Sequence, residues 1–159
     1  MNMVHLKFYA SEDFSELNYA LDETQIQYTS TAEMALQRIK ERADGKAFPV
    51  TIFEDEKPSG FFVLDFGNDK FDLTDNVNSV LLRSLSVNPQ LQGKGIGKAA
   101  MLEVDQFVKN HFKDCEEIVL GVNFNNPGAY DLYIKVGYHH EGKTMIGRNG
   151  PQRIMYKKL

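Results

Sequence analysis

Leu85-Ser86-Val87-Asn88-Pro89, followed after two residues by Gln92-Gly93-Lys94-Gly95-Ile96-Gly97, runs out of a β-rich segment and through a glycine-rich loop. It continues into a helical stripe of Ile96, Ala100, Val104 and Phe107. Such a strand-to-helix junction gathers unpaired backbone N–H groups and the positive end of the helix dipole in one concavity. Glycines admit left-handed backbone angles and let a phosphate come close. The junction therefore reads as an anion site built from main-chain donors, with Lys94 and Lys98 as point charges at its rim. A Mg-nucleotide loop of the form G-x-x-x-x-G-K-[ST] does not fit, because Gln92 and Ala99 stand where a glycine and a hydroxyl belong. Gly95 to Ala100 does satisfy G-x-G-x-x-[GA]. A dinucleotide site also wants an acid near the end of the next strand, and that strand ends Leu120-Gly121-Val122.

Working upstream, Val80 to Val87 reads as a strand ended by Asn88-Pro89. Val50-Thr51-Ile52-Phe53 and Gly60 to Phe66 form a hairpin around Asp55-Glu56-Lys57-Pro58. Gly67 to Asn78 is a polar excursion holding Phe71 and Leu73. Ser30-Thr31-Ala32-Glu33 is a capping-box pattern for a helix that points Met34, Leu36, Ile39 and Ala43 inward and closes at Gly45. Ser11 caps a shorter helix through Phe14, Leu17, Ala20 and Leu21, after a first strand from Val4 to Tyr9.

Downstream, the helix extends from Gly97 to about Lys109, and Glu117 to Val122 is a short strand. Asn126-Pro127 opens a helix that Gly137 ends. Tyr138 to Thr144 and Arg153 to Lys158 close the chain as a hairpin around Arg148-Asn149-Gly150-Pro151. The order β-α-α-β-β-β-α-β-α-β-β predicts a mixed α/β (α+β) domain over residues 1–159, not a doubly wound parallel sheet.

The 159 residues carry a net charge of −4, which excludes a general electrostatic grip on nucleic acid or an anionic membrane. Cys115 is the only cysteine, so there is no disulfide framework and no cysteine zinc site. No run approaches the roughly 18 apolar residues of a membrane span. The start has no basic region leading into an apolar one, and a cytoplasmic location is expected. His139-His140 alternate across a strand and read as structural, so no metal is expected. Cys115 has acidic neighbours that raise its pKa and does not read as a nucleophile.

A second motif lies downstream of the loop: Asn126-Pro127-Gly128-Ala129-Tyr130-Asp131-Leu132-Tyr133-Ile134-Lys135-Val136-Gly137-Tyr138. The loop is similar to the Q/R-x-x-G-x-G/A pyrophosphate loop, and this segment to the N-x-x-A-x-x-L-Y-x-K-x-G-[FY] element, of the GCN5-related N-acetyltransferase (GNAT) family. The resemblance runs from Phe48 to Leu159, and the element order fits from Val4.

It implies a twisted, mostly antiparallel sheet with a V-shaped parallel split between Val80–Val87 and Glu117–Val122, flanked by about four helices. It implies acetyl-CoA as co-substrate, with Leu85, Ser86 and Val87 pairing their backbone with the pantetheine arm. Gln92, Gly93, Lys94, Gly95, Ile96, Gly97 and Lys98 would take the pyrophosphate, and Asn126 would contact the cofactor. Tyr133 would be catalytic, donating to the leaving thiolate as an amine attacks the thioester.

Some relatives hold a glutamate on the preceding strand. Val80-Leu81-Leu82-Arg83-Ser84 has no carboxylate, so a water chain to an unnamed carboxylate is expected. The acceptor implied is a small-molecule or peptide amine; polyamines, amino acids, aminoglycosides and peptide N-termini all stay open, with the acidic loop favouring a small amine. Asp22, Glu23 and Tyr28, in the polar segment between the early helices, would hold it. A homodimer is the default assembly. A non-catalytic acyl-CoA-binding module on the same fold and a dinucleotide-binding protein are the alternatives.

Overall fold

A computed structural model of the chain describes residues 3–159. Val4–Phe8 (β1), Ala47–Glu54 (β2), Lys57–Asp65 (β3) and Ser79–Val87 (β4) form an antiparallel run. Glu117–Asn123 (β5), His139–Gly147 (β6) and Gly150–Lys158 (β7) complete a seven-stranded sheet ordered β1-β2-β3-β4-β5-β7-β6. Among the described residues only β4 and β5 are parallel neighbours, a pairing that needs a long crossover. The crossover is the helix Ile96–His111. The parallel register joins Ser79 to Glu117, Val80 to Ile118 and Leu81 to Val119 and then stops. Beyond Leu81 the two strands part, which is the split that the family resemblance implied.

Four α-helices flank the sheet among the described residues: Phe14–Leu17 (α1), Ala32–Arg42 (α2), Ile96–His111 (α3) and Pro127–Lys135 (α4). Strand alternation sorts the core into two faces. Val80, Leu82, Ile118, Leu120 and Met155 turn toward α3 and α4, joining Ala100, Val104 and Tyr133. Leu81, Val119, Ile154 and Tyr156 turn the other way and meet Leu73. Phe61 and Val63 of β3 pack with Leu17 of α1 and Ala32 and Ala35 of α2.

Local chemistry departs from the sequence reading at three places. The first helix shrinks to α1, preceded by a 3-10 turn over Ser11–Asp13. Asp13, not Ser11, organises that turn: its Oδ2 accepts from Ala10 N at 3.0 Å and from Thr51 Oγ1 at 2.9 Å. In α2 the N-cap is Thr31, whose hydroxyl accepts from Met34 N at 3.1 Å. Ser30 Oγ is occupied by Arg38 Nη1 at 2.8 Å. The helix thus starts one residue later, buries Ala32 and Ala35, and leaves Met34 exposed. Ala43, in a left-handed conformation, caps it two residues before Gly45. The Gly67–Asn78 excursion folds as a 3-10 turn over Asn68–Asp72, pinned by Lys70 Nζ donating to the Val77 and Ser79 carbonyls at 2.9 Å each. By contrast α4 follows its sequence signals: Asn126 Oδ1 accepts from Ala129 N at 3.3 Å, and Gly137 closes the helix.

Candidate active site

Where β4 and β5 part, a cavity of ≈ 820 Å³ opens on the α3/α4 face. Three of its walls come from the two motifs. The end of β4 contributes Leu85, Ser86 and Val87; the loop and the start of α3 contribute Gln92, Gly93, Gly95, Ile96, Gly97 and Lys98; α4 contributes Asn126 and Tyr133. Lys94 alone of the predicted loop residues does not line it. No carboxylate lines it, and its charged side chains are Arg83 and Lys98. Arg83 is ion-paired with Asp65 and Asp69, so an anion is met by Lys98 and backbone dipoles, although the whole chain is acidic.

The backbone explains how the loop presents donors. Gly93 and Gly95 have φ of 82° and 80°, which other residues resist. Gly95 is the N-cap of α3, whose first turn holds no acidic residue. Among the described residues, the N–H groups of Ile96, Gly97 and Lys98 find no backbone acceptor, the first partner on the helix being Ala99 N to Gly95 O. Gln92 Nε2 donates to the Val87 carbonyl at 3.3 Å and ties the loop to its strand.

In β4, Ser84 has a φ of 59°, and the β3–β4 register shifts nearby, an extra residue that bends the strand. The Ser86 carbonyl faces β3, since a Cβ on Gly60 would lie 2.7 Å from it. Neighbouring residues alternate sides along a strand, so Leu85 and Val87 turn their backbone toward the split. The Ser86 hydroxyl is engaged elsewhere, with Tyr19 Oη at 2.7 Å. Burial pushes the Tyr19 phenol up to about 12, only partly offset by that hydrogen bond.

Tyr133 is buried and sits edge-on to Tyr138, centroids 5.6 Å apart. Its hydroxyl makes no hydrogen bond among the described residues, and burial raises its pKa well above the ordinary phenol range. It is a protonated donor without a partner, on the wall of the cavity. Asn126 uses Oδ1 as the α4 cap, which leaves its Nδ2 free to donate.

A second cavity of ≈ 500 Å³ lies on the opposite sheet face, where Leu73, Leu81 and Met145 line it. The two cavities share Tyr28, Thr29, Leu82, Arg83, Ser84, Gly121, Asn123 and Gln152, so they meet at the strand split. Gly121 makes room there: a Cβ on it would lie 2.3 Å from Gln152 Oε1. A glycine inside a strand signals such close approach, and Leu120-Gly121-Val122 carried that signal in the sequence.

The segment between α1 and α2 closes over this junction. Tyr28 Oη donates to the Asn125 carbonyl at 3.0 Å, and Asn149 Nδ2 donates to the Gln27 carbonyl. Tyr28 thus lies at the junction. Asp22 and Glu23 line neither cavity; Asp22 Oδ1 instead accepts from Gln25 N at 2.8 Å. The segment turns its neutral polar residues Thr24, Gln25 and Thr29 inward. Carboxylates reach the second cavity from another quarter, as Asp69 and Asp72 of the 3-10 turn. Cys115 lines neither cavity, and burial, before its acidic neighbours, raises its thiol pKa.

A sheet parted at its one parallel pair, with a glycine loop and helix N-terminus at the mouth, is the architecture of an acetyltransferase. Residues 11–138 match the acetyltransferase (GNAT) family. The chain is 35% identical over 158 residues to an uncharacterized N-acetyltransferase, YbbJ, of Bacillus subtilis (strain 168), with 98% of each covered. The aminoglycoside acetyltransferase AAC(6')-Ib, in complex with coenzyme A and kanamycin, aligns with a TM-score of 0.76 at 18% identity, over 98% of this chain and 95% of that one. Spermidine N-acetyltransferase from Vibrio cholerae, in complex with CoA and spermine, aligns at 0.71 and 20% identity, again over 98% and 95%. The chain belongs to the GNAT acetyltransferase family.

Proposed function

We propose that this enzyme transfers the acetyl group of acetyl-CoA directly to a primary amine on a small molecule or a peptide N-terminus. The observation that carries the reading is the composition of the first cavity. One wall offers unpaired main-chain N–H groups with no carboxylate nearby, and another offers the unpartnered Tyr133 phenol. The pyrophosphate is held by the Gln92–Lys98 backbone. Leu85 and Val87 pair with the pantetheine arm as an added strand would. Asn126 Nδ2 reaches the same arm.

In the reaction the amine nitrogen bonds to the thioester carbon, and the C–S bond then breaks. Backbone N–H groups at the end of β4 stabilise charge on the carbonyl oxygen. Tyr133 donates its proton to the departing sulfur and regains one, through water, from the attacking nitrogen, which sheds its second proton as the amide forms. Because burial raises its pKa, the phenol is protonated at neutral pH. An alkylammonium acceptor must first lose a proton. Asp72, exposed beside the second cavity and without an ion pair among the described residues, takes it through water.

An acetylation screen of an amine library, read by release of free thiol, tests this. Turnover with at least one amine is expected. A thermal shift with acetyl-CoA but not with NAD is also expected, growing with ligand concentration over affinity. Stabilisation by acetyl-CoA without thiol release from any amine would make the chain a binding module instead.

A further inference from the structure

The second cavity holds three guanidinium groups drawn from distant parts of the chain: Arg38 of α2, Arg83 of β4 and Arg148 of the β6–β7 turn. Two carboxylates, Asp69 and Asp72, share the lining. Arg83 is already neutralised, by Asp65 at 3.2 Å and Asp69 at 2.8 Å. Arg38 is not: its one hydrogen bond goes to the Ser30 hydroxyl at 2.8 Å, leaving most of its five donors unused. Arg148 makes no ion pair or hydrogen bond among the described residues. The turn that carries it is nevertheless fastened, since Asn123 Nδ2 donates to the Asn149 carbonyl at 2.9 Å and Asn149 Nδ2 to the Gln27 carbonyl.

The cations are close enough to act on one another. Burial first, and then the charges of Arg148 and Arg83, lower the pKa of Arg38. Arg38 and Arg148, without a carboxylate partner among the described residues, repel each other until an anion joins them. A planar guanidinium with free donors is matched in geometry by a carboxylate or phosphate, which it binds bidentately. Asp72, on the same cavity, is free to meet an ammonium.

We propose that the acceptor amine carries its own anionic group, a carboxylate or a phosphate, and that Arg38 and Arg148 hold that group while the amine reaches the strand split. This rests on the acetyltransfer reading above and names the acceptor class within it. It also gives specificity by repulsion, because a polycationic amine would bring more positive charge to Arg38 and Arg148. The proposal sets a site of mixed charge, with arginines in the majority, in place of the acidic acceptor loop expected at Asp22 and Glu23.

The test uses the full chain, acetyl-CoA and thiol release on matched acceptors. Each L-amino acid is compared with its carboxamide, O-phosphoethanolamine with ethanolamine, and spermidine serves as the polycation. The anionic member of at least one pair should show kcat/KM about tenfold or more above its neutral partner, and the pair that does so separates carboxylate from phosphate. In Arg148→Gln, at an exposed turn, and in Arg38→Gln that ratio should fall toward one through KM for the acceptor. Neutral amines or spermidine matching the anionic members in the wild type would overturn the proposal, as would a preference that survives both substitutions.

If no amine is turned over, the acetyltransfer reading fails, and the charge proposal is judged by binding. N-acetylated amino acids and inorganic phosphate are then titrated by calorimetry into the CoA-saturated protein. Binding that is lost in Arg148→Gln supports an anion site, and absence of binding overturns it.

Discussion

Replacing Tyr133 by phenylalanine separates what this side chain does for the fold from what it does for the reaction. The ring packs edge-on to Tyr138 at 5.6 Å, a contact phenylalanine keeps. The hydroxyl has no partner among the described residues but opens on the cavity instead of being sealed in, so its removal breaks no hydrogen bond and relieves no buried donor, and stability should move by less than about 0.5 kcal/mol. As proton donor to the thiolate, the same hydroxyl is worth about 10²–10⁴ in rate, or roughly 3–5 kcal/mol of barrier. Tyr133→Phe should therefore melt within a degree or two of the wild type and bind acetyl-CoA with the same Kd by calorimetry. Its kcat should fall at least a hundredfold in the thiol-release assay. Because burial raises the phenol pKa, the wild-type donor is lost only as pH rises through that raised value. Wild-type kcat should show no loss assignable to Tyr133 below about pH 10, the ordinary tyrosine value. An unchanged kcat in Tyr133→Phe would remove Tyr133 from the mechanism, and a Tm drop of many degrees would make it a structural residue.

Three other predictions follow from the packing. Asp65 is fully buried and accepts from Arg42 at 2.7 and 3.1 Å, from Arg83 at 3.2 Å and from Gly67 N at 2.8 Å. These contacts outweigh its burial and lower its pKa, so its contribution is complete above the unfolded value near 4 and is lost as pH falls through the folded one. Asp65→Asn should cost about 2–4 kcal/mol at pH 7, somewhat under a fully buried pair because both arginines are part-exposed. The Tm gap between variant and wild type should narrow below pH 4, and a constant gap would contradict the pairing. Gly60→Ala would put a Cβ 2.7 Å from the Ser86 carbonyl and 3.0 Å from Ile52 Cδ1. It should cost about 1–3 kcal/mol and, by displacing β4, weaken acetyl-CoA binding; a wild-type Kd by calorimetry would show that the β4 backbone is not in the site. Tyr138 Oη is buried without a partner among the described residues, so Tyr138→Phe should raise stability by about 1 kcal/mol, and a lower Tm would refute this.

Much of the fold was legible because its signals are local. Asn126-Pro127 and Gly137 bracket α4 by cap chemistry alone, and the glycine loop announces its own junction. At the start of α2, by contrast, Ser30 and Thr31 are equally good caps. The choice falls to Thr31 because Arg38, eight residues on, takes the Ser30 hydroxyl. The motif-built walls of the first cavity were readable for the same reason as α4: they lie within two contiguous segments. The charged lining of the second cavity was not. Arg38, Arg83 and Arg148 come from a helix, a strand and a hairpin turn, and only the closed sheet brings them to one cavity. Asp22 and Glu23 looked suitable by charge, but Asp22 is spent on a turn amide, a contact composition does not foretell.

The short parallel pairing has a mechanical consequence. β4 is joined to β3 along most of its length, and β5 likewise to β7, whereas β4 and β5 share three residue pairs. The sheet is thus two stiff plates on a short hinge, latched at the rim by Tyr28 on Asn125 and Asn149 on Gln27. A molecule seated in the gap stitches the plates together, so hydrogen exchange at the free ends of β4 and β5 should slow when the cleft fills. If acetyl-CoA takes the first cavity and the acceptor the second, as proposed above, the two open on opposite faces of that hinge and each reactant has its own door. Neither must leave for the other to enter, and initial rates should follow a ternary-complex pattern with no covalently acetylated enzyme on the path.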